Sequence, residues 1–218
     1  VANTWNDFVQ FVAHSCPGCS TLTIQAHIQA AMDEFCAATN IWTEELDPFG
    51  VLAGMNQYSI PVDNFTRVLG VESVRYNGLL LRPMTPRLMD RSFPLWGEIT
   101  GENQVQAYWV ELDDDDQLLT FWPTPVMSVP ASVIMRVSLK PTASATSVPG
   151  FFFDDWRTVI GSGALEQILM IPNKDWTNPQ MATMHGAKFR TGKARAKARA
   201  IGMQSGATLT IHSQRFGG

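Results

Sequence analysis

Cysteine is scarce in this chain, with three among 218 residues. Three thiols cannot all pair within one chain, so a disulfide framework is not expected. Long apolar runs are missing too. None approaches the roughly 18 residues needed to cross a bilayer, and no membrane segment is expected. The first ten residues, VANTWNDFVQ, carry no basic stretch followed by an apolar one, so no secretory signal is expected there. Charge is sparse at 17% against 45% hydrophobic residues, a balance that excludes a disordered chain. A chain of this length buries roughly 70–75% of its unfolded surface, so its core needs no staples. The expectation is a soluble protein assembled in a reducing cytosol.

Catalytic motifs are equally thin. Gly161-Ser162-Gly163 is flanked by Ile160 and Ala164 where a nucleophile elbow requires glycine. Neither a G-x-x-x-x-G-K-[ST] phosphate loop nor an H-E-x-x-H zinc helix occurs. His14, His27, His185 and His212 are scattered without metal-ligand spacing. Cys16-Pro17-Gly18-Cys19 has the spacing of a redox or half-zinc motif but no flanking βαβ unit, so it reads as a loop between helices. Cys36 reads as a small core residue. Asp113-Asp114-Asp115-Asp116 lacks the spacers, glycine and distal glutamate of a calcium loop. It reads as a solvated hairpin tip, or as an acidic knob for a basic partner. No enzyme, cofactor or metal is expected.

Acidic residues are also absent from one end. Residues 1–175 hold all 20 of them and nine basic residues, giving −11; residues 176–218 hold none and seven basic residues, giving +7. A basic end suits a polyanion, an acidic neighbouring subunit or a solvated face.

What is present is periodicity. Thr4 and Asp7 start a helix whose stripe is Trp5, Phe8, Val9 and Val12, ended by Cys16-Pro17-Gly18. Ile24, Ile28, Ala31 and Phe35 predict a second helix from Thr21 to Thr39. From Ile41 to residue 148 short runs rich in Val, Ile, Tyr, Trp and Thr predict strands. Tyr58–Pro61, Arg67–Arg75 and Leu79–Arg82 are three, the last pair turning at Asn77-Gly78. Gln104–Leu112 and Leu118–Trp122 flank the four aspartates, and Val133, Met135, Val137 and Leu139 alternate with wetter residues. An antiparallel sheet or small barrel is expected. Trp156, Ile160, Ala164, Ile168 and Ile171 predict a helix over 153–171 up to Pro172, its small residues admitting a neighbouring backbone. Asn178-Pro179 opens a long helix to about Gly202. The fold class is therefore α+β: a helical bundle from both chain ends, a central antiparallel β-rich insertion and an extended C-terminal arm. The parts are 1–40, 41–148, 149–202 and 203–218.

At 100° per residue, Lys188, Arg195 and Arg199 share one edge of the last helix, and Arg190, Lys193 and Lys197 lie nearly opposite. Ala187, Ala194 and Ala198 fill one flank between them and Phe189, Ala196 and Ala200 the other. A groove-reading helix concentrates its cations on one face. Two basic edges suit a helix with neighbours on both flanks, and a nucleic-acid-binding protein using residues 188–199 is the alternative reading. Leu209 and Ile211 alternate with polar residues toward Phe216, as in a strand seeking a partner in another chain.

The chain resembles the head-to-tail adaptor (connector) proteins of tailed bacteriophages, particularly of short-tailed phages. The segments that carry this are Ile24–Cys36, Trp42, Tyr58–Pro61, Pro149, Asp155-Trp156, Gly161–Leu165, Met170–Trp176 and the basic helix. The resemblance implies a structural virion protein in the neck between head and tail, assembled in the host cytoplasm. It implies a homo-oligomeric ring, a dodecamer, beneath the portal protein. That ring would meet a tail or nozzle protein and surround the DNA exit channel, genomic DNA passing without sequence-specific contact. It also implies a C-terminal arm that docks on the portal. The aspartate hairpin has no place in that pattern, and is expected to face a partner or the channel.

Overall fold

The computed structural model describes residues 2–93, 96, 104–113 and 117–205, and the side chains of these up to residue 202. Its chain divides into two compact units, 1–41 with 143–218, and 42–142. The protein is mixed α+β, with five helices and mostly antiparallel sheets among the described residues.

The first unit begins with β1 (Ala2–Thr4) and α1 (Trp5–Ala13). The Asp7 carboxylate accepts hydrogen bonds from the Thr4 backbone N–H at 2.9 Å and from its hydroxyl at 3.0 Å, and it is these bonds that hold the Asp7 pKa down. The predicted stripe, Trp5, Phe8, Val9 and Val12, is buried. The helix stops at Ala13, three residues before the expected Cys16-Pro17-Gly18 stop, as Ser15 and Cys16 donate to carbonyls three residues back. α2 (Thr21–Thr39) has the predicted limits. Ser20 caps its first turn, accepting from the Thr23 N–H at 3.2 Å, and Asn40 closes it in the left-handed region at φ 48°.

The chain returns through β11 (Ser147–Pro149), which pairs with β1, into α4 (Gly150–Ile168). This helix starts and ends about three residues earlier than its stripe predicts. Its last turn loosens before Pro172, and Asn178 N–H reaches back to the Leu169 carbonyl at 2.9 Å. α5 (Pro179–Ser205) follows, with the Met181 N–H donating to the Asn178 side-chain oxygen at 3.0 Å.

α1, α2, α4 and α5 pack on one another. Phe8, Ile24, Ile28, Met32, Phe35, Phe152 and Phe189 are fully buried, each stabilising the fold by about 1.5–3 kcal/mol. The glycines of α4 allow close approach, though not to a neighbouring backbone as the sequence suggested. A Cβ on Gly163 would lie 2.9 Å from the Phe189 ring and 3.0 Å from Ala31 Cβ, and one on Gly161 would meet Phe11 at 3.1 Å. Side chains fill those places.

The second unit holds β2 (Thr43–Glu45), β3 (Phe49–Val51), β4 (Gln57–Ser59), β5 (Thr66–Tyr76), β6 (Leu79–Leu80) and β7 (Arg82–Pro83). α3 (Pro86–Ser92), β8 (Ala107–Leu112), β9 (Gln117–Trp122) and β10 (Val129–Pro141) complete it. One sheet runs β2-β10-β5-β6 with β3 also on β10, and the other β4-β9-β8-β7. Val133, Met135, Val137 and Leu139 are buried, as their alternation predicts. Asn77 at φ 50° and Gly78 at φ 80° make the predicted β5–β6 turn. The run Leu79–Arg82 does not stay whole. It splits into β6 and β7, and β7 pairs parallel to β8 in the other sheet. α3, which the sequence reading placed among strands, is opened by Thr85 and Pro86 at N-cap and N1. Met84, Met89, Ala107, Trp109 and Trp122 form the core against which it lies.

Candidate functional site

α5 carries six cations between Lys188 and Arg199, and three of them are already engaged. Arg190 lies 3.6 Å from Glu166 of α4, and Arg199 makes a 2.7 Å bond to Asp155 near the other end of that helix. Lys193 pairs closely with Glu34 of α2 while its ammonium stands 4.4 Å over the Phe189 ring. These contacts lay α5 antiparallel along α4 and tie Lys193 to α2. Exposed pairs of this kind contribute about 0.2–1 kcal/mol each; their larger effect is to fix the face that α5 turns outward. Lys188, Arg195 and Lys197 have no ion pair among the described residues.

The two flanks of α5 differ accordingly. Phe189, Ala196 and Ala200 are buried within the unit, whereas Ala187 and Ala194 are exposed. Between α4 and α5 a groove of about 400 Å³ opens, lined by Thr158, Val159 and Ser162 on one side and Ala187, Lys188, Thr191, Gly192 and Arg195 on the other. Gly192 leaves room for Val159 at its floor. His185 lies beside the groove with Nδ1 3.4 Å from the Ser162 hydroxyl. Burial, and then the charge of Lys188, push its pKa below the usual histidine value, so at neutral pH the ring is uncharged. Lys188 and Arg195 are thus cations at the mouth of a groove with no acid of its own.

The remaining predicted positions divide. Asp113 is described, its backbone carbonyl accepting from Arg67 Nη2 at 2.9 Å. β8 and β9 pair in register from Ala107–Trp122 to Leu112–Gln117, so the aspartate run does connect a hairpin. Asp114, Asp115 and Asp116 lie outside the described residues, as do Leu209, Ile211 and Phe216. Sequence reasoning named the cations of the groove but missed its other wall. Thr158, Val159 and Ser162 carry no motif, and only the antiparallel run of α4 beside α5 brings them there.

Thiol chemistry has poor footing. Cys16 is buried, donates to the Val12 carbonyl at 3.6 Å, and burial pushes its thiol up to about 11. The Cys19 thiol is raised for the same reason, and all three cysteines are free. A nucleophilic thiolate needs the opposite shift. Among the described residues no three His, Cys, Asp or Glu side chains gather around a point where one cation would touch them. No described helix is long and apolar enough to cross a membrane.

The chain thus has a charge-paired helical unit with an open cationic groove and a second, β-rich unit. The family model for the SU10 adaptor protein matches residues 3–210, and the chain belongs to that family of phage head-to-tail adaptors. No curated protein matches it. Membership makes it a structural adaptor of the bacteriophage virion, a class that is not enzymatic, associated with portal and tail proteins and suited to the virion neck.

Proposed function

We propose that the chain forms a closed homo-oligomeric ring, a dodecamer, beneath the portal and around the DNA exit channel, and that it hands the channel on to a tail or nozzle protein. The observation that carries this is the family match over nearly the whole chain. The charge asymmetry supports it, since a ring built head to tail needs two different complementary surfaces on each subunit. In this reading α1, α2, α4 and α5 form the scaffold bundle. Lys188, Arg190, Lys193, Arg195, Lys197 and Arg199 line the subunit or portal contact. The arm 203–218, through Leu209, Ile211 and Phe216, adds a strand to the portal. The Asp113–Asp116 hairpin faces the tail-side partner or the channel, where negative charge lets DNA slide without sticking. The subunits assemble in the host cytoplasm.

Quantifying this chain by mass spectrometry in purified particles, relative to the major capsid protein, tests the ring. A constant copy number of about a dozen is expected of one closed ring; absence from mature particles overturns the proposal. Replacing Asp113–Asp116 by serine tests the hairpin. Variant particles that assemble and eject DNA normally would remove its assigned role.

A further inference from the structure

We infer that the α4–α5 groove receives an acidic edge strand from a second copy of this chain, the strand β2 with the residues that follow it. The inference rests on the ring reading and names the two surfaces that would meet.

Three features of the groove call for an extended acidic segment. Lys188 and Arg195 are exposed, unpaired among the described residues, and seven residues apart on one edge of α5. Two helical turns place them about 10 Å apart along the axis. The floor is small and apolar at Val159 and Gly192, and Thr158 and Thr191 put hydroxyls on opposite walls.

The same chain carries a matching segment. β2 pairs only with β10, so its other edge has no strand among the described residues. Glu44 and Asp47 are exposed and have no ion pair or hydrogen bond there. Asp47 lies two residues beyond β2 and so outside the strand's alternation of faces; three residues of chain reach at most about 10 Å, enough for the two carboxylates to meet the two cations. The open edge of β2 also offers backbone groups that the threonine hydroxyls can bond. An edge strand left open in one subunit is normally blunted by charge or covered; here the charge that blunts it is complementary to the uncovered groove.

Duplex DNA fits less well. Three of the six α5 cations are held by Glu34, Asp155 and Glu166, and the chain's net charge of −4 repels a polyanion. Because groove and strand are different patches, the contact they make is head to tail and propagates from copy to copy until it closes.

A charge exchange tests this in a phage lacking its own copy of the gene, complemented by full-length variants. Lys188→Glu with Arg195→Glu, and separately Glu44→Lys with Asp47→Lys, should each lower infectious titre about tenfold or more, since like charges would then face each other across every contact. All four substitutions in one chain should restore titre. An equimolar mixture of the two double variants should restore it as well, because strict alternation around the ring pairs opposite charges again. The positions are exposed, so melting temperatures should stay within a few degrees of the parent. Failure of both the four-fold variant and the mixture overturns the inference, as does wild-type titre from either double variant. If the groove variant loses duplex DNA binding and the strand variant is silent, a nucleic acid occupies the groove. The parent chain's copy number in particles reads the ring proposal separately.

Discussion

At the scale of single residues, two glycines of α5 face α4 with opposite consequences. A Cβ on Gly192 would run into the branched side chain of Val159, whereas one on Gly186 would meet only the carboxylate end of Glu166. Glycine to alanine inside a helix gains about 0.8–1 kcal/mol, but overpacking a stiff neighbour costs about 1–3 kcal/mol. Gly192→Ala should therefore lower stability by up to about 2 kcal/mol, and Gly186→Ala should be neutral or stabilising by up to about 1 kcal/mol, because a flexible glutamate can swing aside. Urea unfolding of the two variants checks the ordering. Cys16 gives an alkaline prediction. Below pH 9 its thiol is protonated in both states and contributes nothing. Above that the unfolded chain loses the proton while the native one keeps it up to about 11, so the native state binds more protons and stability falls as pH rises. The loss reaches about 2–3 kcal/mol, and Cys16→Ala should flatten that limb of the stability–pH curve. His185 acts at the other end. Its depressed pKa leaves the folded ring binding fewer protons than the unfolded one, so stability is lost as pH falls through the ordinary histidine range near 6.5. His185→Gln should remove that acid-side loss in the same titration.

At the scale of elements, the joint between α4 and α5 fixes where the last helix begins. Asn178 caps α5 through its side chain and ties back to Leu169 through its N–H, while the Thr177 hydroxyl donates to the Ile171 carbonyl at 2.6 Å. Asn178→Ala removes only the side-chain cap and should cost about 1 kcal/mol, seen as a lower denaturation midpoint with an unchanged slope. Most of these elements were legible beforehand. Thr21–Thr39 was readable because Ile24, Ile28, Ala31 and Phe35 keep a helical period; its caps, Ser20 and Asn40, appear only in the structure. Asn77-Gly78 announced its hairpin because few other pairs accept two positive φ angles. α3 was not legible, since seven residues give too little periodicity to stand out among strands. The splitting of Leu79–Arg82 was hidden for another reason: both halves are extended, and only pairing partners from distant sequence separate them.

At the scale of the whole molecule, the charge asymmetry sets what the free chain should do with DNA. If α5 bound duplex, Lys188, Arg195 and Lys197, its cations without an ion pair among the described residues, would displace counterions and add about 2.7 to the slope of log K against log salt. We expect neutralising all three to leave that slope unchanged in a fluorescence anisotropy titration, because their partner is protein. A drop of that size would instead identify a DNA-binding helix.

The α+β class, the helices at both ends and most strand positions follow from local periodicity and residue spacing along the chain, while the adaptor family rests on likeness to known proteins, matched over residues 3–210. The sequence also sets which residues of α5 are cationic and on which edges they lie. Which of those cations are free depends on packing between distant segments. Glu34, Asp155 and Glu166 stand 159, 44 and 24 positions from Lys193, Arg199 and Arg190, and no local rule assigns such pairs. Packing of α5 against α4 and α2 satisfies three charges, leaves Lys188 and Arg195 over an open groove, and so turns a symmetric pattern of charge into one directed surface.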